Sequence, residues 1–244
     1  MQDRLQELFL THYRNGNILM IQADCMEVMK HIQDKEVDLA IVDPEYGIGA
    51  GKMNHGIKNN EKLRVWKKGK NWDSKPPEAK YFQELFRVSK DQIIFGANYF
   101  QLPPGKGWIY WSKDKQDGLD QGDGELAWTS FLTVVRETRI VWDGFRGSDS
   151  VKIHPTQKPV SLYKWLLSRY AKPGDKILDT HGGSGSICIA CHDLGYELTW
   201  MELDHDYYAA TVERYKRHAA QAVLFEPEEV RQEPKEQDLI DAHL

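Results

Sequence analysis

Short apolar runs rich in β-branched residues recur along the chain: Ile18 to Ile21, Val37 to Val42, Gln92 to Phe95, Trp108 to Trp111, Phe131 to Val135, Lys176 to Leu178 and Leu198 to Met201. Runs that are apolar at successive rather than alternate positions predict strands buried on both faces. Between many of them the spacing becomes helical. Leu162, Trp165, Leu166, Leu167 and Tyr170 form an apolar stripe that Lys172-Pro-Gly-Asp175 stops, and a second apolar helical stretch runs from Ile187 to Leu194. Strands alternating with helices predict an α/β fold, a mainly parallel sheet of about seven strands with helices on both faces. Ligands of such sheets bind at the carboxyl ends of the strands, so the turns after the apolar runs are where chemistry belongs.

One such turn is Lys176-Ile-Leu-Asp-Thr-His-Gly-Gly-Ser-Gly-Ser186, a strand, a glycine-rich turn and then a helix. Gly183 and Gly185 permit a tight turn and let the backbone approach a ligand closely, while the helix start offers unpaired N–H groups. No lysine follows the last glycine, so a Walker phosphate loop does not fit, and the absence of G-x-G-x-x-G spacing disfavours a Rossmann oxidoreductase. The next strand, Leu198-Thr-Trp-Met-Glu-Leu-Asp204, carries Glu202 at its end. A carboxylate there can accept two hydrogen bonds from a ribose diol, the arrangement used for adenosine-containing cofactors.

A second turn follows Asp38-Leu-Ala-Ile-Val42: Asp43 ends the strand, Pro44 fixes the backbone, Tyr46 offers an exposed aromatic face, and Gly47-Ile-Gly49 leads on. An exocyclic amine on adenine or cytosine is a poor nucleophile because its lone pair is delocalised into the ring. A carboxylate and a backbone carbonyl that accept both of its N–H bonds favour pyramidal nitrogen and stabilise the positive charge that develops, while an aromatic ring stacks on the base. Asp43, the Pro44 carbonyl and the Tyr46 ring supply that set. Standing alone, the same tetrapeptide reads better as an Asp-Pro turn with a packed tyrosine.

The order of these motifs resembles that of the S-adenosylmethionine-dependent DNA amino-methyltransferases that methylate adenine N6 or cytosine N4, in the permuted arrangement with the catalytic motif first. Asp43-Pro-Glu-Tyr46 is similar to the family's Asp/Asn/Ser-Pro-Pro-Tyr/Phe/Trp motif and Asp179-Thr-His-Gly-Gly-Ser-Gly-Ser186 to its Asp-Pro-Phe-x-Gly-Ser-Gly loop. Gln92 to Phe100, Trp108 to Ser112 and Glu125 to Ser130 look like its later sheet motifs, and His154-Pro-Thr-Gln-Lys-Pro159 like a further signature. The resemblance runs from about Asn17 to His218. It implies a Rossmann-like methyltransferase domain over 1–225, S-adenosylmethionine as cofactor and double-stranded DNA as partner; a homodimer is compatible with it.

Carried over residue by residue, the resemblance makes Asp43, Pro44 and Tyr46 catalytic. It places Asp179, Gly183 and Gly185 beside the methionine part of the cofactor, Glu202 at the ribose, Asp24 at the adenine, and Lys158 and His181 nearby. On the residues alone Asp24 reads as the N-cap of a helix from Met26. There are two departures from the pattern: Glu45 stands where a second proline is usual, and Thr180-His181 replaces Pro-Phe, turning an apolar wall into an imidazole. An Asp in the first motif position implies adenine N6; cytosine N4, or a cofactor-binding DNA module without catalysis, are the alternatives.

Charge adds the partner. The 244 residues carry 32 basic and 37 acidic side chains, a net of -5, which argues against a general nucleic-acid coat. The imbalance is local: seven acidic residues against two basic ones fall in the tail 226–244, expected to be disordered, and eight basic against two acidic fall in 50–75. From that basic loop Lys52, Lys58, Arg64, Lys67 and Lys68 are expected on DNA phosphates, with Trp66 and Trp72 stacking or wedging, or simply packing the loop. A short segment, 134–152, is left for target recognition, with Arg136, Arg139 and Arg146 able to reach guanine edges or phosphates, or equally to stand as surface charges.

Mean hydropathy is -0.61, and no apolar run approaches the roughly 18 residues of a membrane helix. The first residues lack signal-peptide character and three cysteines are too few for a disulfide framework, so a cytoplasmic setting is expected. Cys188-Ile-Ala-Cys-His192 satisfies a haem-attachment pattern, yet small residues in the helix after the glycine turn read better as packing against the sheet. No metal site is expected.

Overall fold

The computed structural model describes residues 1–50, 73–113, 122–141 and 153–221. In chain order these form α1 (Gln2–Leu8), β1 (His12–Asn15), β2 (Ile18–Gln22), α2 (Cys25–Met29), β3 (Val37–Val42), α3 (Ala79–Val88), β4 (Ser89–Phe95), a 3-10 turn (Ala97–Tyr99), β5 (Gly107–Ser112), β6 (Gly124–Thr129) and β7 (Val135–Arg139). After these come α4 (Val160–Tyr170), β8 (Lys176–Asp179), α5 (Ser186–Leu194), β9 (Glu197–Glu202) and α6 (His205–Ala219). The basic stretch 51–72, the segment 142–152 and the acidic tail lie outside the described residues.

All nine strands share one sheet, in the order β1-β2-β9-β8-β3-β4-β6-β5-β7. The block from β2 to β4 is parallel throughout. β1 runs against β2, β6 runs against both β4 and β5, and β7 returns parallel to β5. Side chains alternate between the two faces of a strand, and both faces here are apolar. Along β2, Ile18 and Met20 join a core with α4, α5 and α6, while Leu19 and Ile21 join a second core with α2 and α3. The α/β sheet with helices on both faces is as expected from the alternation of runs.

Two details differ. The described residues hold nine strands rather than seven, and the run Phe131 to Val135 is a bend, with β6 ending before it and β7 beginning at its last residue. Phe131 and Leu132 pack against the first core while Val134 and Val135 are exposed, so that run is apolar without being a buried strand.

The topology fixes the site. From β3 the chain passes through α3 to β4 on one side, and from β8 through α5 to β9 on the other. Because β3 and β8 are neighbours, the chain departs in opposite directions from adjacent strands, which opens a crevice at their carboxyl ends. The turn after Val42 and the turn after Asp179 are therefore brought side by side.

Candidate active site

The crevice is a cavity of about 1220 Å³ lined by Asp24 after β2, Asp43 to Tyr46 after β3, Glu125 in β6, His154 to Lys158 before α4, Thr180 to Ser184 after β8, and Glu202 at the end of β9. Six segments far apart in sequence converge on it. Asp24 does two things there: its Oδ1 accepts from the Met26 N–H at 2.8 Å, capping α2, and its side chain also faces the cavity.

At one end a charged network surrounds Asp43. Lys158 Nζ is ion-paired with Asp43 Oδ2 and lies 2.9 Å from Glu125 Oε2. Lys113 holds the other Glu125 oxygen at 2.8 Å. The Tyr46 hydroxyl donates to Asp43 Oδ1 at 2.6 Å, with Glu125 Oε2 as a second acceptor within reach at 3.2 Å. Burial pushes the Asp43 carboxyl above its usual range; the Lys158 ammonium works against that and the Glu125 charge adds to it. Burial acts on Glu125 in the same direction, but its two ammonium partners outweigh it and hold the carboxyl down to about 2. Burial alone would lower the Lys158 pKa, and the Asp43 and Glu125 carboxylates reverse this, keeping it a cation.

Tyr46 is not the exposed face anticipated. It is half-buried, its ring stacked on Tyr99 with centroids 5.0 Å apart and planes at 14°. Gly96 makes room for it, since a side chain there would run into the ring, and φ of 66° suits glycine. Tyr99 remains 45% exposed, so one face of Tyr46 is covered by another ring at the cavity wall.

At the other end Glu202 ties the glycine turn. Its Oε2 accepts from the Gly183 N–H and its Oε1 from the Asp204 N–H, both at 2.8 Å. Burial nevertheless pushes its carboxyl up to about 7. Asp179 and Gly185 stand behind the cavity wall. Asp179 is buried, its Oδ1 accepting from the His181 N–H at 3.1 Å, and burial takes its carboxyl to about 7. Gly185, at φ 65°, begins α5 with Thr211 packed where a side chain would go. They shape the turn, whereas Gly183, His181 and Glu202 line it.

The remaining expectations distribute as follows. Arg136 and Arg139 lie on β7 at the sheet edge and do not line the cavity. Arg139 pairs with Glu137 at 3.0 Å. Lys52, Lys58, Arg64, Lys67, Lys68, Trp66, Trp72 and Arg146 fall outside the described residues. Cys188 and Cys191 are fully buried in α5 within the first core, as packing requires. Glu125, Lys113 and Tyr99 are site residues that sequence reading did not single out.

Asp73 is a further one. Its carboxylate, 2% exposed, accepts from the Gly47 and Ala50 N–H groups at 2.7 Å each, and its carbonyl accepts from Gly49 at 2.9 Å. It thus fastens both ends of the basic stretch to the turn that carries Tyr46. Asp73→Asn puts an amide NH2 against one of those N–H donors, and we expect a loss of about 1–3 kcal/mol of unfolding free energy. Urea denaturation of the two proteins checks this; equal midpoints and slopes would show that the clip carries no stability.

Comparison with known proteins agrees with this geometry. Residues 104–213 match the N6_N4_Mtase family model, described as DNA methylase. Over 241 residues the chain is 22% identical to the type II methyltransferase M.HpaI of Haemophilus parainfluenzae, covering 80% of this chain and 73% of that protein. These likenesses support an S-adenosylmethionine-dependent DNA amino-methyltransferase. The matched stretch contains the His154 turn, the glycine turn and Glu202, and the HpaI-type likeness extends over most of the rest. Among solved structures, the fold is similar to PvuII DNA methyltransferase (cytosine-N4-specific), with a TM-score of 0.55 at 12% identity over 88% of this chain and 90% of that one. It is also similar to M1.HpyAVI in complex with SAM, with a TM-score of 0.50 at 18% identity over 81% and 99%. No helix of the described residues is long and apolar enough to cross a membrane.

Proposed function

We propose that this DNA methylase moves a methyl group from S-adenosylmethionine to the N6 amine of adenine in double-stranded DNA. The observation that carries the reading is the placement of Asp43, Pro44 and Tyr46 at one end of a single cavity whose other end is formed by Glu202, Gly183 and Asp24.

The residues present fit the cofactor. Glu202 lines the cavity, and each of its oxygens has a lone pair beyond the backbone bond it already accepts. Gly183 at φ 52° presents backbone rather than side chain, and M1.HpyAVI, of similar fold, binds SAM. Glu202 and Asp24 would hold the ribose and adenine, and Gly183 and His181 the methionine part. When bound, S-adenosylmethionine supplies a methyl group already activated by the sulfonium charge.

The protein's task is then to prepare the amine. Extruding the base from the duplex lets it stack on the ring of Tyr46, as Tyr99 does now. Its amino group donates to Asp43 and to the Pro44 carbonyl, which localises the nitrogen lone pair and steadies the positive charge on nitrogen. Those donations displace the hydroxyl and ammonium that Asp43 accepts in this structure; Glu125 Oε2, within reach of both, retains them. The amine's proton can leave after transfer, so Asp43 need not be a strong base. Adenine is favoured over cytosine by the Asp in the first motif position, while PvuII methyltransferase, of similar fold, is cytosine-N4-specific. Unmethylated genomic DNA incubated with the enzyme and S-adenosylmethionine, then digested to nucleosides for mass spectrometry, decides: N6-methyladenine is expected, and N4-methylcytosine would move the assignment to cytosine.

The raised pKa of Glu202 gives this reading a pH signature. A ribose diol donates best to the carboxylate, which dominates above about 7. Cofactor affinity is therefore expected to strengthen as pH rises through that value, by up to tenfold per unit below it. Titration calorimetry at pH 6, 7 and 8 reads the effect, which Glu202→Gln should abolish together with most of the affinity. A dissociation constant flat across that range in the wild type would remove Glu202 from the ribose.

A further inference from the structure

Two of the three residues at which the sequence departs from the family pattern touch each other. Glu45, between the catalytic Pro44 and Tyr46, places Oε2 3.3 Å from Nε2 of His181 in the glycine turn. Their side chains are only 32% and 17% exposed. The contact continues inward: His181 Nδ1 lies 2.9 Å from Thr180 Oγ1, which lies 2.7 Å from the Tyr81 hydroxyl of α3, and the Tyr81 ring meets the imidazole edge-on at 4.9 Å. A polar relay thus runs from α3 through the turn after β8 to the turn after β3, across the switch point of the sheet.

We propose that Glu45 and His181 are one positioning unit, an ion pair that fastens the base-binding turn to the cofactor-binding turn and holds Asp43 and Gly183 at their working separation. Neither residue alone accounts for the other. A carboxylate in that wall without a cation would be a poorly solvated charge beside Asp43, and an imidazole without an anion would have one nitrogen unserved. The assignment rests on the proposed reading of this cavity as a methyltransferase site.

The groups facing the pair support the charged form. Burial tends to neutralise His181, but the Glu45 carboxylate and its hydrogen bond, followed by Asp179 of β8 and Glu202 of β9, turn the imidazole pKa upward. Burial tends to raise Glu45, and His181, with a smaller effect from His154, turns it downward. Cys25 and Tyr81 also face it, both with burial pushing their pKa upward and hence neutral. The pair's contribution is thus lost as pH rises through the raised imidazole pKa, and lost again as pH falls through the depressed carboxyl pKa.

The test combines NMR titration of histidine-labelled full-length protein with a mutant cycle of Glu45→Gln, His181→Phe and the double variant, all assayed for methyl transfer. In Glu45→Gln the His181 titration should move to lower pH. Each single change should lower kcat about tenfold, and the double should lose about as much as one single rather than the product of the two. The alkaline limb of the wild-type pH profile assigned to His181 should vanish in His181→Phe. An unmoved His181 titration, or losses that multiply, would overturn the pairing as a positioning device. If no protein in the series transfers methyl groups, the methyltransferase reading fails separately, and the cycle is read on S-adenosylhomocysteine affinity, where independence of the two positions would overturn the proposal.

Discussion

Asp43→Ala is expected to lower methyl transfer by about 10² to 10³-fold while leaving the protein no less stable than the wild type. The first half follows from the acceptor it removes: without the carboxylate, the target amine loses the group that draws out its lone pair and faces its developing charge. The second half follows from the sign of the shift. Burial raises the Asp43 pKa above its ordinary value of 3.8, so the fold binds that proton more tightly than the unfolded chain does. At pH values above the ordinary value the ionised Asp43 therefore costs stability, and the penalty is relieved as pH falls through the raised pKa. Removing the residue removes the penalty. Lys158 and the Tyr46 hydroxyl keep Glu125 as partner at 2.9 and 3.2 Å, so neither donor is left without an acceptor. Melting curves and nucleoside mass spectrometry on the same preparation read both halves. A variant that melts well below the wild type at pH 7 would show Asp43 to be a structural member of the network, and retained transfer would remove it from the chemistry.

What the sequence made legible were contiguous stretches. Asp43 to Tyr46 and Thr180 to Gly185 each announce a turn after a buried strand, because Pro44 and the glycines constrain backbone in ways that composition reveals. The crevice follows once the sheet is parallel. The partners of Asp43 did not follow. Lys158 is 115 residues away from it, and Glu125 is 79 from Tyr46; nothing local distinguishes Glu125, at the mixed polar start of β6, from a surface carboxylate. Edge strands were missed for a related reason. β7 exposes Val135, Glu137 and Arg139 on the rim of the sheet, and β1 carries polar His12, Arg14 and Asn15, so neither reads as a buried run. The contact between Glu45 and His181 lay hidden in plain residues: each was visible as a departure from pattern, but only the adjacency of β3 and β8 shows that the departures meet.

Lys158→Met is the substitution expected to destabilise most. It preserves the long stem and removes the ammonium that joins Asp43 to Glu125; the Lys158 side chain is only 3% exposed, so water cannot take over its role cheaply. The variant leaves two carboxylates facing each other across the space the ammonium filled, with Lys113 able to serve only Glu125. Breaking a buried pair in this way costs about 3–5 kcal/mol. The deficit should be pH-dependent in a defined direction. Like charges raise each other's pKa, and Asp43 is already raised, so acidification protonates Asp43 first and relieves the repulsion. The stability gap between variant and wild type is therefore expected to narrow as pH falls, before Glu125, held low by Lys113, titrates. Asp43→Asn in the Lys158→Met background supplies the same relief at neutral pH and should recover a large part of the loss, although neither protein would transfer methyl groups at the wild-type rate. Urea denaturation of the four proteins of this cycle between pH 5 and 8 gives the coupling directly. A deficit that is constant with pH and indifferent to Asp43→Asn would mean that Lys158 acts through its ammonium over the ring of Phe95, 4.8 Å from Nζ, rather than through the two carboxylates it joins.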